Sequence, residues 1–165
     1  MASIDDTRAL IRNKLLNWGI ATKPIYPGLD IGRDIEFVGG DLAVVEGLDC
    51  LAQDLTIALT SGFGIDPFNV NFGFDGLNAL AQETDPVLLR ERVRISIIKV
   101  LKNEPRVRRI LDVKLLDGRL DPVEADMSTA DAGSPLSRIL NVRVAFEAIS
   151  GDQSVLDSAK VSVNA

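Results

Sequence analysis

Ile4, Ile11, Leu15 and Trp18 recur at helical spacing behind a Ser3/Asp6 capping pair, and Gly19 interrupts the period. The pattern predicts an amphipathic helix over residues 4–18. TKPIYPGLDIGRD follows, where prolines and glycines break any regular period and predict an extended or turn-rich linker. In IEFVGGDLAVVEG, β-prone runs flank Gly39-Gly40, which predicts a hairpin over residues 34–46. From Gly47, the residues Leu48, Leu51, Leu55, Ala58 and Leu59 share one helical face, while Asp49, Gln53, Asp54 and Thr56 fall largely elsewhere.

GFGIDPFNVNFGFDG, residues 62–76, reads as a structured loop with its aromatics tucked under the domain. Asp85-Pro86 then places an N-cap before a proline at the first helical position. Leu89, Val93, Ile97, Val100 and Leu101 give that helix, over about residues 86–103, its apolar stripe. Pro105 ends it, because its ring has no N–H to donate and drives Glu104 toward extended angles. Leu111, Val113 and Leu115 then alternate as in a half-buried strand, and Asp117-Gly118 signals a turn. Residues 120–135 are polar and rich in small residues, as in a long exposed loop. Leu140, Val142, Val144, Phe146 and Ala148 alternate strictly, Gly151-Asp152 turns, and SVLDSAKVSV alternates again.

These elements predict an α+β fold: a small antiparallel sheet of three C-terminal strands plus an N-terminal hairpin, packed against two or three helices. Two parts are expected, an N-terminal helix and extended linker at 1–35 and the main domain at 36–165. The last strand is expected to present an edge. No apolar run is long enough to span a membrane, and the first ten residues do not read as a cleaved signal.

Charge sharpens the picture because it is segregated. The chain carries a net charge of −6, yet residues 30–86 hold eleven acids against Arg33 alone. Residues 90–109 reverse the sign with Arg90, Arg92, Arg94, Lys99, Lys102, Arg106, Arg108 and Arg109 against Glu91 and Glu104. That basic set is either a solvated face whose long stems cover apolar surface or a patch that docks an acidic protein surface. In the second reading the proline break aims Arg106, whose planar fork suits a carboxylate. An acidic chain whose aromatics lie in its acidic half speaks against nucleic acid as a partner.

Little in the chain suits catalysis. Histidine is absent, and with it the commonest general base and the usual metal ligand. The lone Cys50 sits in an apolar periodic segment and reads as a core residue. Gly62, Gly64, Gly73 and Gly76 match no phosphate-binding loop. Asp66, Asn69, Asn71 and Asp75 lack the spacing of an EF-hand and read as loop-capping residues. Pairs such as Asp41 with Glu46 carry no specificity in so acidic a chain. No metal or cofactor is expected.

The order of features is more specific. An apolar helix ending in LDCLAQDLTIALTSGFG, a loop bearing glycine and phenylalanine, a helix ending in Glu104-Pro105-Arg106 and a β-rich tail follow one another over residues 40–163. This resembles the lysozyme-like baseplate wedge, or sheath initiator, family of contractile phage tails, type VI secretion baseplates and extracellular contractile injection systems. The resemblance implies a non-enzymatic structural subunit that joins the baseplate to the first sheath ring and initiates sheath polymerisation. It would stand in six copies in the tail baseplate, assembled in the bacterial cytoplasm, with tail sheath protein and other wedge proteins as partners. It assigns the sheath connection to Glu104, Pro105 and Arg106, and it implies that an edge strand, here residues 154–163, completes the sheet handshake by which sheath subunits are linked. The neighbouring Arg108 and Arg109 are expected to join the docking corner, and the N-terminal helix is expected to bind a neighbouring wedge protein. The rival readings are a paralogous tail or baseplate protein and a peptidoglycan hydrolase.

Overall fold

The computed structural model describes residues 4–26, 29–76, 82–83, 85–116, 139–157 and 161–162. Its centre is an antiparallel sheet of β7 (Val107–Leu116), β8 (Ile139–Ala148) and β9 (Gln153–Asp157), with β8 in the middle. The short β10 (Val161–Ser162) pairs with the first residues of β8. The expected α+β fold is therefore present. Alternation places Val142, Val144, Phe146 and Ala148 on one buried face of β8, where they meet helices α2 (Gly47–Thr60) and α3 (Pro86–Asn103). From α2 come Leu51, Leu55 and Leu59, and from α3 Val93, Ile97 and Leu101. These are the i, i+4 positions of the stripes read from the sequence, and burying each such side chain contributes about 1.5–3 kcal/mol.

Local signals explain where α3 begins and ends. The Asp85 carboxylate accepts from the N–H groups of Val87 and Leu88 at 2.8 and 3.3 Å, and Pro86 stands where no N–H is needed. At the other end Glu104 is extended (φ −86°, ψ 110°), as a residue before proline must be.

Strand β7 is longer than expected and differs in which residues it buries. It begins at Val107, and Leu111, predicted to alternate inward with Val113 and Leu115, is 38% exposed. Two register shifts against β8, between Val107 and Arg109 and between Ile110 and Asp112, each insert one extra residue. Val107, Ile110 and Val113 thus face the core at a spacing of three, while Arg108, Arg109 and Leu111 turn outward.

The predicted hairpin forms as β4 (Phe37–Val38) and β5 (Asp41–Leu42), with Gly39 and Gly40 at φ +65° and +89°. Upstream, helix α1 (Ile4–Leu16) stops two residues before the expected end. The cause is Asn17, which takes the left-handed conformation (φ 71°) while its N–H donates to the Asn13 carbonyl at 2.9 Å. Trp18 instead opens strand β1 (Trp18–Ile20), which pairs with β6 (Val44–Glu46). The stretch expected as a linker is an antiparallel ribbon of β2 (Thr22–Tyr26) and β3 (Leu29–Ile35).

This N-terminal part is tied to α2 and its approach. The Gln53 side chain bridges the ribbon, donating to the Ile20 carbonyl and accepting from the Thr22 N–H, both at 2.8 Å. Asn13 donates to Glu46 at 2.9 Å, and Leu16 is fully buried in the main core. Where the chain enters α2, Gly47 has φ +66°, a conformation that strains any side chain, and a Cβ there would also press on the Asn13 Oδ1 at 3.1 Å.

The loop at 62–76 is ordered by backbone hydrogen bonds, including Phe74 N–H to the Ser61 carbonyl at 2.8 Å and Phe63 N–H to the Phe74 carbonyl at 3.2 Å. Asp66 caps it as predicted, accepting from the Phe68 N–H at 2.9 Å. Only part of its aromatic content tucks inward: Phe74 is buried, but Phe68 is 99% exposed because it rides the loop tip beside Pro67. The Asp117-Gly118 turn, the loop at 120–135 and residues 158–160 and 163 of the final predicted run lie outside the described residues.

Because Leu16 fills the core from the end of α1, Leu16→Ala is expected to cost about 2–4 kcal/mol in urea unfolding. Leu10→Ala, on the exposed side of the same helix, is expected to change stability by less than about 0.5 kcal/mol.

Candidate functional site

Glu104, Pro105, Arg106 and Val107 form a β-turn, with the Val107 N–H donating to the Glu104 carbonyl at 3.1 Å and proline at the second position. The turn joins α3 to β7 and folds the Arg106 side chain back over Glu104. There the guanidinium grips the carboxylate side-on: Nε donates to Oε1 at 2.7 Å and Nη2 to Oε2 at 3.0 Å. The Arg106 backbone N–H adds a bond to Glu104 Oε1 at 3.2 Å.

The rest of the fork reaches two other elements. Nη2 donates to Asp54 Oδ2 on α2 at 2.8 Å, and Nη1 to the Leu16 carbonyl at the end of α1 at 3.1 Å. The Leu16 carbonyl belongs to the last turn of a helix, whose carbonyls lack intrahelical partners and carry the negative end of the dipole. A cation there caps α1 and satisfies an acceptor in one contact. The Arg106 carbonyl in turn accepts from the Ile149 N–H at 2.9 Å, which fastens the corner to the end of β8.

Arg106 therefore does not project from the corner toward a partner, as the sequence suggested. Its side chain is only 17% exposed, and it is engaged within the chain by both carboxylates. Protonation equilibria follow the same geometry. Glu104 is half-buried, and this desolvation pushes its pKa up, but the side-chain and backbone hydrogen bonds from Arg106 outweigh it and hold the pKa below the ordinary value. The Glu104 hydrogen bond raises the Arg106 pKa further against its own desolvation, with Asp54 adding to the rise. Burial pushes the Cys50 thiol up, reinforced by Asp54, whose Oδ2 lies 3.7 Å from Sγ. Cys50 is thus the core residue expected and a poor nucleophile.

The other predicted members stand apart from this cluster. Pro105 is exposed, and Arg108 and Arg109 project from the bulge in β7, 66% and 68% exposed. Both approach Glu147 of β8, at 3.3 and 3.9 Å. On α3 the basic set is divided among local partners: Arg94 pairs with Glu91, Arg92 with Glu83, and Arg90 donates to the Leu115 carbonyl. Lys99 and Lys102 are exposed. The outermost described strand beside β8 is β9, and among the described residues no strand pairs with its outer edge.

Two members of the cluster escaped the sequence reading. Asp54 lies one helical turn from both Cys50 and Ala58, which are buried, so its place at the margin of the apolar stripe was legible. Its pairing across 52 positions was not. A main-chain carbonyl such as that of Leu16 carries no residue-type signal at all. Beside the cluster runs an open groove of about 270 Å³, lined by Asp54, Ala58, Phe72, Val100, Glu104 and Arg106. Among the described residues no group of three or more metal-ligating side chains converges, and no helix is long and apolar enough to cross a membrane.

Compared with protein-family models and with curated proteins, the chain matches none.

Arg106→Ala strands Glu104 half-buried and uncaps α1. It is expected to cost about 2–3 kcal/mol in urea unfolding, toward the lower end for such pairs because Asp54 is open to water. Arg106→Lys is expected to recover only part of this, since an ammonium cannot reproduce the fork. The Glu104 contribution has a pH signature. A carboxylate whose folded pKa is depressed stabilises the fold fully above its unfolded value, near 4.5, and loses that contribution as pH falls through the folded one. Unfolding free energy between pH 7 and pH 3 is thus expected to fall less steeply in Glu104→Gln than in the parent chain.

Proposed function

We propose that this chain is a structural subunit of the baseplate of a contractile tail or injection machine, joining the baseplate wedge to the first sheath ring and initiating sheath polymerisation. The observation that carries the reading is the Glu104-Pro105-Arg106 corner, which stands at a helix-to-strand junction between α3 and β7 as the resemblance implies. Its chemistry refines the role. Arg106 and Glu104 hold the shape of the corner, and the partner-facing groups are the exposed Pro105, Arg108 and Arg109 beside them. The outer edge of β9 supports strand addition by sheath protein, in which backbone hydrogen bonds provide affinity and alternation fixes register. Six copies per baseplate, with wedge proteins as the other neighbours, complete the reading.

Co-expression with the sheath subunit encoded in the same genome tests it, with short sheath rings seated on this chain as the expected product in electron micrographs. Arg108→Ala/Arg109→Ala is expected to lower ring yield while leaving the urea midpoint nearly unchanged, since exposed ion pairs contribute about 0–1 kcal/mol. Arg106→Ala is expected to lower both. Sheath that assembles to the same yield with and without this chain overturns the reading.

A further inference from the structure

The two-stranded ribbon of β1 and β6 has one face on the body of the protein and one in solvent. Gly19 and Val45 pair on the inner face, Gly19 so near α2 that a Cβ there would lie 3.5 Å from the Cys50 sulfur. The outer face should be polar in a protein that works alone. Instead Trp18, Ile20 and Val44 occupy it, 64%, 43% and 56% exposed, with the exposed Glu46, the cross-strand partner of Trp18, at its margin. The hairpin β4–β5, which leads directly into β6, adds the cross-strand pair Phe37 and Leu42, also exposed. Exposed apolar residues clustered in this way, with an aromatic among them, mark interaction sites.

Charge narrows the occupant. Residues 34–46 carry Asp34, Glu36, Asp41 and Glu46 and no lysine or arginine. The nearby Arg33 is turned onto Thr22, donating to its hydroxyl at 2.8 Å and its carbonyl at 2.7 Å. Asp34 has Lys23 as its cross-strand neighbour, so a second copy docked face to face would oppose Glu36, Asp41 and Glu46 with the same three, and an anionic lipid surface would be repelled likewise. Shape narrows it again: two strands about 4.8 Å apart offer a flat strip of roughly one helix width, about 10 Å.

We infer that the outer face of β1–β6, centred on Trp18, Ile20 and Val44, is a docking surface for an amphipathic helix of another protein whose apolar stripe is flanked by lysine or arginine. None of its residues belongs to the Glu104-Pro105-Arg106 corner, and the surface stands whether or not the chain belongs to a contractile machine.

Trp18 is the only tryptophan in the sequence, so its emission reports on this face directly. The probes are two designed amphipathic peptides of about 18 residues, one leucine/lysine and one leucine/glutamate in the same pattern, both free of tryptophan. Titration with the leucine/lysine peptide is expected to shift Trp18 emission to the blue and to saturate, with affinity at least about tenfold above that of the leucine/glutamate peptide. Val44→Asp is expected to abolish the shift with the circular dichroism spectrum unchanged. Glu36→Lys/Asp41→Lys is expected to invert the preference between the peptides. The inference is overturned by unchanged emission with the leucine/lysine peptide, by equal response to both peptides, or by retention of the shift in Val44→Asp. A blue shift that grows with protein concentration alone overturns it in favour of a second copy.

Discussion

A single guanidinium holds three separate parts of this chain together. Arg106 bonds the end of α1 through the Leu16 carbonyl, α2 through Asp54, and the α3–β7 turn through Glu104. Each contact alone is modest, because folding exchanges protein–water for protein–protein hydrogen bonds. Their combination matters because the groups are partly withdrawn from water, where an unpartnered charge is costly and a satisfied one rigidifies its surroundings. Arginine suits the position for its geometry: one planar fork serves a bidentate carboxylate and two further acceptors at once. The helices that cover the sheet are thereby fixed to the strand that begins it.

The same corner sets what β7 presents to the outside. Immediately after the turn, two bulges convert a period of two into a period of three, so that Val107, Ile110 and Val113 all reach the core. The residues displaced outward are Arg108, Arg109 and Leu111. A strand with strict alternation would have turned either the core residues or the arginines the wrong way. The polar surface beside the corner is thus a by-product of how the strand serves the core, with Arg108 and Arg109 exposed next to Pro105.

The N-terminal ribbon has a different character. Its inner side is secured by Gln53, Asn13 and the buried Leu16, whereas its outer side leaves Trp18, Ile20, Val44 and Phe37 in water. Internal packing accounts for the first arrangement and not for the second. The protein therefore has two surfaces of opposite sign, an acidic apolar face at one place and arginines at another.

Much of the architecture could be read directly from residue order. The stripes of α2 and α3, the cap at Asp85-Pro86, the Gly39-Gly40 hairpin and the alternation of β8 depend on residues close together in sequence, and local rules suffice for them. So does the break at Pro105, which no partner is needed to explain. The fate of Arg106 is of another kind. Nothing near it in sequence distinguishes an arginine aimed at solvent from one folded back on Glu104, because the choice depends on Asp54 and Leu16, 52 and 90 positions away. The bulges in β7 and the pairing of Trp18–Ile20 with β6 are likewise settled by distant strands. Periodicity says which residues are apolar enough to be buried; which of them find a partner is a matter of packing between elements, and that is where the corner acquired its internal role.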